Sequence, residues 1–530
     1  MPELRIDGWA APVVQGGTLL SAARALGIHV PTLCFQDGAP RHTSCMVCLV
    51  EDLGTHRLVP ACATPARAGM DIRTAGRRVA AARLRSAELL MAEHEGDCEA
   101  PCARACPVHA DIPGVMRLLG RGDAAGARAR LSAGLPLAGT LACTCPAPCR
   151  RACRRGRLDS PIDICGVKAA LMSLGRRGDA AGRASHAPPT GTRVSIVGAG
   201  PAGLSAAWFL ARLGHDCLVF DERAEPGGML RAGTSSDILP PGVFDADLAL
   251  LREAGVDLRM CSRILPGAGW EAIRSSSSAV LLATGSPETR DALIPQGSVF
   301  DPATGVVGGS VGAAASGSEA APGVFVCGNA ARETPSRMAA RDVEEGRRAA
   351  RCIGLFLENR EILPELRRFD SRRRAVTAAF LVDRAAAATS RARQRMESGC
   401  AEVERALAPI AVEAARCLQC DCVRKRSCRL RTLATSLKAD SRRFAADRRE
   451  ESGVLAGKNG LTLDQGKCIK CGVCVLMAEA AGARPGLAFR GLGAETRVCV
   501  PFGADLGGAA AGIAGELVKC CPTGALAWDF

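Results

Sequence analysis

The chain has 530 residues, 27 of them cysteine and none tyrosine, and its 68 Lys and Arg against 54 Asp and Glu give a net charge of +14. That length suffices for roughly three or four domains with real cores, and with no N-terminal signal pattern and no apolar run of about 20 residues the expectation is a soluble, cytoplasmic protein without a membrane span. In a reducing compartment such a density of cysteine means metal ligands, not disulfides, while scattered basic residues with no aromatic-interleaved stripe argue against a nucleic-acid partner.

Residues 1–78 open with LRIDGWAAPVV, a strand pair, and TLLSAARALGI, a helix. Cys34, Cys45, Cys48 and Cys62 follow as C-x10-C-x2-C-x13-C. Two ligands on a tight loop and two on its flanks suit a [2Fe–2S] cluster, with a C-x2-C zinc site as the alternative. The text PTLC, SCMVCLVED and LVPACATPARAGMDI resembles the N-terminal [2Fe–2S] domain of the large iron–sulfur subunit of respiratory complex I and of related hydrogenases and formate dehydrogenases. That resemblance implies a β-grasp domain.

Residues 79–190 begin with VAAARLRSAELLMAEH, whose apolar positions recur at helical spacing. His94 stands four residues before Cys98; in the complex I family a helix ends in H-x3-C and the histidine ligates a [4Fe–4S] cluster. The spacing C98-x3-C102-x3-C106-P departs from that family. From there CARACPVHADIPGVMRLL, TCPAPCRRAC and SPIDICGVKAAL resemble the N-terminal helical domain of the glutamate synthase small subunit and of dihydropyrimidine dehydrogenase, which implies two [4Fe–4S] clusters with interleaved ligands. Carried over, Cys106, Cys145 and Cys149 belong to one cluster, and Cys102 and Cys153 to the other, with His94 and Cys98 completing it. The fourth ligand of the first falls near SPIDIC, where Cys165 is the candidate and Lys168 lies closer to the matching position. Cys143 is left as a spare thiol.

After a Gly/Ala/Pro/Arg linker comes the domain of residues 191–360. Arg193 to Asp221 reads as a short strand, a glycine turn, a helix and a second strand closed by an acid. Gly198, Gly200 and Gly203 hold the G-x-G-x-x-G register around Pro201 and Ala202, so backbone amides can face a pyrophosphate. Asp221, followed by Glu222, stands where a carboxylate accepts a ribose hydroxyl. Downstream lie EPGGML with Gly227 and Gly228, then Arg231, the ATG of Ala283, Thr284 and Gly285, and GVFVCGNAARETPSRMAARDVEEGRRAA with Gly328 and Asn329. These match the glutamate synthase small-subunit flavoproteins, and the resemblance implies FAD, with the last segment facing the flavin phosphates and ring. Asn329 replaces the family's Asp, leaving an amide that can donate to the ribitol or phosphate. That family inserts an NAD(P) domain between the last two segments. Here only Ser286 to Pro322 is available, and one βαβ unit alone takes about 30 residues, so no separate nicotinamide seat is expected.

Residues 361–455 are Arg/Ala/Glu-rich, helical in pattern, and lead to Cys417, Cys420, Cys422 and Cys428 within twelve residues, read as one [4Fe–4S] site with zinc as the alternative. Residues 456–530 resemble a two-cluster ferredoxin module, in which C-x2-C-x2-C-x3-C-P occurs twice and each fourth Cys serves the other cluster. The first run keeps Cys468, Cys471 and Cys474 but has Ala478 fourth. The second keeps only Cys521, before Pro522, its other positions being Ala511, Ala514 and Leu517. One cluster is thus expected whole and its twin deleted whole, with Cys499 and Cys520 as non-ligands.

The sequence therefore reads as a multidomain α/β and α+β protein: a β-grasp [2Fe–2S] domain, a helical double-cluster domain, a Rossmann-like FAD domain without the NAD(P) insertion, and a ferredoxin-like domain. It is expected to carry FAD, one [2Fe–2S] and four [4Fe–4S] clusters, and to relay electrons to partner subunits of hydrogenase, formate dehydrogenase or complex I flavin-subunit type. No acid–base constellation stands out, so the chemistry is the cofactors' own. The alternative is a self-sufficient NAD(P)H-dependent oxidoreductase of the glutamate synthase small-subunit type.

Overall fold

The computed structural model describes residues 2–40, 42–174, 187–294, 300–307, 323–365, 368–373, 376–386, 404–444 and 453–528. Two compact units take up the chain: Met1–Ala100 with Arg367–Phe380 and Cys420–Phe530, and Pro101–Leu366 with Leu381–Gln419. The second is therefore inserted within the first in sequence.

In the first unit Leu4 and Ile6 are buried while Glu3 and Arg5 are exposed, the period-two alternation of a strand with one wet face. This strand, Glu3–Ile6, is the second of a five-stranded sheet, antiparallel to the edge strand Trp9–Pro12 and parallel to the central Asp71–Arg73, with Leu49–Asp52 and Arg57–Pro60 beyond. Helix Leu19–Ala25 starts in a capping box between Thr18 and Ser21 and buries Leu19, Leu20, Ala22 and Ala23 against it. Toward the C-terminus, strands Val454–Ala456, Leu461–Asp464 and Leu526–Trp528 form an antiparallel sheet accompanied by helices Val473–Ala480 and Ala514–Cys520. A single apolar core joins Leu33, Cys34 and Cys45 to Ala87 and Met91, to Cys428, Leu430 and Leu433, and to Ile469 and Cys471.

The second unit contains a five-stranded, wholly parallel sheet in the order Gly323–Val326, Ala279–Leu282, Arg193–Val197, Asp216–Phe220, Asp257–Arg259. The order reverses at Arg193–Val197, and the crevice at such a reversal is where open parallel sheets take ligands. Between Ala279–Leu282 and its neighbour Gly323–Val326 the described residues hold one helix, Pro287–Leu293, and a short Phe300–Val307 pairing; residues 295–299 and 308–322 of the expected short connection lie outside the described residues. Helices Ile112–Leu119, Ala124–Gly134, Ala138–Thr144 and Ile164–Leu174 form the helical part. It is locked to the sheet part by Asp247, 2% exposed, which accepts hydrogen bonds from the Gly139 and Thr140 amides and the Thr140 hydroxyl. These bonds satisfy amides at a helix start that have no partner within the helix.

Candidate iron–sulfur and dinucleotide sites

Four thiols of the first unit gather where the sheet's loops meet. Cys45 and Cys48 lie on the loop before Leu49–Asp52 and Cys62 follows Arg57–Pro60, and all three are buried with Cys34. Cys34 lies beside both Cys45 and Cys62, and Cys48 forms a second pair with Cys62, its Sγ 3.4 Å from that of Cys62. Two thiolates on one tetrahedral metal, with bonds of about 2.3 Å, sit about 3.8 Å apart, so the second pair is already near that spacing. Crowding makes the thiols share protons; Cys34 is held low by S–H groups of Cys45 and Cys62, which point at it.

Helix Arg77–Glu93 ends at His94, which is buried with Nδ1 3.4 Å from the Ser371 hydroxyl and 3.3 Å from the Gly96 amide. The Cys98 amide donates to the Ser371 carbonyl at 3.0 Å, and the Cys422 amide donates to the Cys98 carbonyl at 3.2 Å. Cys428 is close enough to Cys98 and Cys422 for their charges to couple, and burial pushes the Cys98 thiol up to about 12 and that of Cys428 to about 11. Cys98 thus stands beside Cys422 and Cys428, whereas the expected grouping set it with Cys102 and Cys153 and set Cys422 and Cys428 with Cys417 and Cys420.

The cause is the local anchoring. Asp421 and Glu99 hold Lys425, and Glu99 also holds Arg431, at 2.9–3.4 Å, fixing the loop of Cys422 and Cys428 beside residue 98. Ser371 carries no sequence signal; the composition of residues 361–416 favours helix, yet Phe369–Arg373 is an irregular strap. Its Phe369 amide bonds Thr435 and its Arg373 amide bonds Asp97, so both sides of the thiol set are tied to it.

At the C-terminal end, Cys468, Cys471, Cys474 and Cys521 line one pocket together with Val473 and Thr523. Burial raises Cys471 and Cys474 well above an ordinary thiol. Cys520 points elsewhere, its S–H donating to the Leu517 carbonyl at 3.3 Å, and Cys499 lies on strand Arg497–Cys499. Where the twin cluster would sit, Ala478, Ala514 and Leu517 are buried in one apolar core with Leu487, Val498 and Leu506; Ala511 is exposed.

In the second unit Cys106, Cys145, Cys149 and Cys165 are mutually near: Cys149 feels the charges of the other three, and burial lifts its thiol to about 11. Cys102, Cys153 and Cys417 pack against the same core. Cys417 is brought there by Arg416, which donates to Asp159 and Ser160, and by Glu413, which accepts from the Asp163 amide. Among the described residues no group of three or more His, Cys, Asp or Glu side chains converges on a point fit for a single metal ion.

The glycine turn leaves strand Arg193–Val197 and enters helix Pro201–Arg212, with Gly200 at its N-cap. Gly198 has φ +112°, and a Cβ there would run into the Ala283 carbonyl; a Cβ on Gly203 would run into the Gly198 carbonyl oxygen. Only glycine fits either place. Above Gly200 the space is open. The Asp221 carboxylate folds back on the turn, accepting from the Ala199 amide at 2.7 Å and the Arg223 amide at 3.0 Å, so it braces the loop and retains lone pairs for a ribose. Glu222 pairs with Arg263 at the surface, and Arg231, expected at the cofactor, is engaged by Glu225 and Asp245. Gly227, Gly228, Gly285 and Gly328 all take positive φ, and the Thr284 hydroxyl closes its own turn on the Ser286 carbonyl. The Asn329 side-chain oxygen accepts from the Ser336 amide and from Arg332, so the amide also shapes the 329–336 loop.

Residues 2–77 match the family of 2Fe-2S iron–sulfur cluster binding domains, residues 85–177 match dihydropyrimidine dehydrogenase domain II with its 4Fe-4S cluster, and residues 196–251 match the NAD(P)-binding Rossmann-like domain. The NADP(+)-dependent formate dehydrogenase subunit beta of Moorella thermoacetica is 32% identical over 207 residues, covering 35% of this chain and 29% of that protein. The NAD-dependent dihydropyrimidine dehydrogenase subunit PreT of Escherichia coli K12 is 31% identical over 191 residues, 35% of this chain and 46% of that one. An NADH-quinone oxidoreductase subunit of Rhizobium meliloti is 42% identical over 98 residues, 18% of this chain and 12% of that protein. The chain thus spans less than half the length of these relatives. No described helix is long and apolar enough to cross a membrane. The chain thus combines, in one polypeptide, stretches similar to a 2Fe-2S domain, a 4Fe-4S domain and a Rossmann-like dinucleotide domain.

Proposed function

We propose that this chain is the cytoplasmic electron-transfer subunit of a multisubunit oxidoreductase, holding FAD, one [2Fe–2S] and four [4Fe–4S] clusters. Cys34, Cys45, Cys48 and Cys62 would hold the [2Fe–2S] cluster. The [4Fe–4S] sites would be His94 with Cys98, Cys422 and Cys428; Cys468, Cys471, Cys474 and Cys521; Cys106, Cys145, Cys149 and Cys165; and a fourth to which Cys102, Cys153 and Cys417 contribute. The donor sets fit. Cys98, Cys149, Cys428, Cys471 and Cys474, which burial holds protonated, become thiolates only when a cation lies beside them, which is the condition a metal cluster supplies.

When bound, a flavin accepts electrons in pairs and iron–sulfur clusters carry them singly, so pairs can be split and passed on. The residues supply spacing, dryness and orientation. His94 is oriented at its Nδ1 edge, which accepts from the Gly96 amide at 3.3 Å and lies 3.4 Å from the Ser371 hydroxyl. Asp221 keeps the glycine turn in shape while the open face above Gly200 receives a pyrophosphate.

The observation that carries the relay reading is the shared core of the first unit, in which Cys34 and Cys45, Cys428, and Cys471 of three different thiol sets pack together. FAD is favoured over NAD(P)H at the glycine turn because the final strand and helix, Gly323–Val326 and Ala339–Leu357, return onto helix Pro201–Arg212, with the Ser205 hydroxyl donating to the Val343 carbonyl at 2.7 Å. Partners of hydrogenase, formate dehydrogenase or complex I flavin-subunit type fit this role. The isolated chain should contain FAD and iron, and mixing it with NADH or NADPH should leave the flavin oxidised while dithionite bleaches it. Rapid stoichiometric bleaching by either nucleotide alone would favour the self-sufficient reductase instead.

A further inference from the structure

Lys168 lies on the inward face of helix Ile164–Leu174, 6% exposed, in line with the buried Ile164, Val167 and Leu171. Among the described residues its ammonium has no carboxylate within ion-pair distance and no hydrogen bond. A nearly enclosed lysine with no carboxylate partner is best placed beside a negative charge. What surrounds it is sulfur. Cys165 is one turn back on the same helix face, and Cys149 and Cys143 are within reach of its charge. Two carboxylates act on this neighbourhood, Asp163 near Cys165 and Asp247 near Cys143. Both are engaged, Asp163 by the Gly166 amide and Asp247 by Gly139 and Thr140. Arg150 adds a second positive charge near Cys165.

We propose that Lys168 is the built-in counter-ion of a [4Fe–4S] cluster on Cys106, Cys145, Cys149 and Cys165, and raises its reduction potential. This rests on the cluster assignment made above. Four thiolates around a [4Fe–4S] core leave about two negative charges when oxidised and about three when reduced. A fixed positive charge in a dry site therefore favours the reduced form more than the oxidised one, and raises the potential. No proton moves and no bond changes; the lysine acts by its charge.

The test uses the full chain, reconstituted anaerobically, with redox-poised EPR and iron analysis. Lys168→Met and Lys168→Gln, both neutral and of similar length, should keep all iron yet shift one [4Fe–4S] signal at least tenfold toward the oxidised form at a given potential, about 59 mV for one electron. Lys168→Arg should restore the wild-type value. Unchanged potentials in both neutral variants with iron retained, or loss of about four irons in all three variants, would overturn the counter-ion role. Cys149→Ser separates this from the assignment beneath it. If that variant keeps every iron, the cluster assignment itself falls; if it loses about four while Lys168→Met leaves the potentials unmoved, only the counter-ion proposal falls.

Discussion

Replacing Cys98 and Cys422 by serine, singly and together, tests whether two thiols so far apart in sequence serve one cluster. The Cys422 amide donates to the Cys98 carbonyl at 3.2 Å, and Cys428 couples to both. A cluster deprived of one of four ligands is expected to be lost as a unit, so each single variant should fall from about 18 irons per chain to about 14. Residues acting in one unit are non-additive. The double variant should therefore also stay at about 14 irons, whereas Cys98→Ser with Cys102→Ser should fall to about 10, because two clusters are struck. Colorimetric iron and acid-labile sulfide on the anaerobically reconstituted chain read the stoichiometry, and EPR of the dithionite-reduced protein reads which signal disappears. The reasoning is refuted if Cys98→Ser and Cys422→Ser lose iron additively, or if Cys98→Ser and Cys102→Ser do not.

Two further outcomes are expected. Cys521→Ser should remove about four irons, while Cys520→Ser, whose S–H is given to the Leu517 carbonyl, should remove none by the same analysis; equal losses would reject the pocket lined by Cys468, Cys471, Cys474 and Cys521. At the glycine turn, Gly203→Ala should lower stability by about 1–3 kcal/mol through overpacking, read by denaturant melts of the apo chain. Gly200→Val, set in open space, should leave that melt nearly unchanged and yet abolish FAD retention; FAD bound at wild-type stoichiometry in Gly200→Val would place the pyrophosphate elsewhere.

What is legible in the sequence is local. Gly198 and Gly203 announce themselves because each excludes a side chain by contact with backbone a few residues away or on the adjoining strand. Cys468, Cys471 and Cys474 sit on one loop, and the Pro after Cys521 marks the fourth thiol. The pairing of Cys98 with Cys422 is not legible, because it depends on where an inserted unit begins and ends, and no spacing rule spans such an interval. Ser371 is hidden for the same reason: it acts through its carbonyl and hydroxyl within an arginine-rich stretch whose composition favours helix. Asn329 reads as a cofactor contact because its place in the motif is plain, whereas its commitment to Ser336 and Arg332 depends on a loop closing back on it.

The division of the first unit among three stretches of chain also sets a timetable for its assembly. At about 5–20 residues per second, Cys98 leaves the ribosome roughly 16–65 s before Cys422, some 320 residues later. The thiols at 34, 45, 48 and 62 are all made within the first seconds and lie on a sheet complete by Arg73, so that site is ready for metal while most of the protein is still unmade. The His94 site is not. On the proposed assignment its Cys98 would wait, reduced and unmetallated, for some 320 residues until Cys422 is made, and the proposed site of Cys102 and Cys417 would wait almost as long.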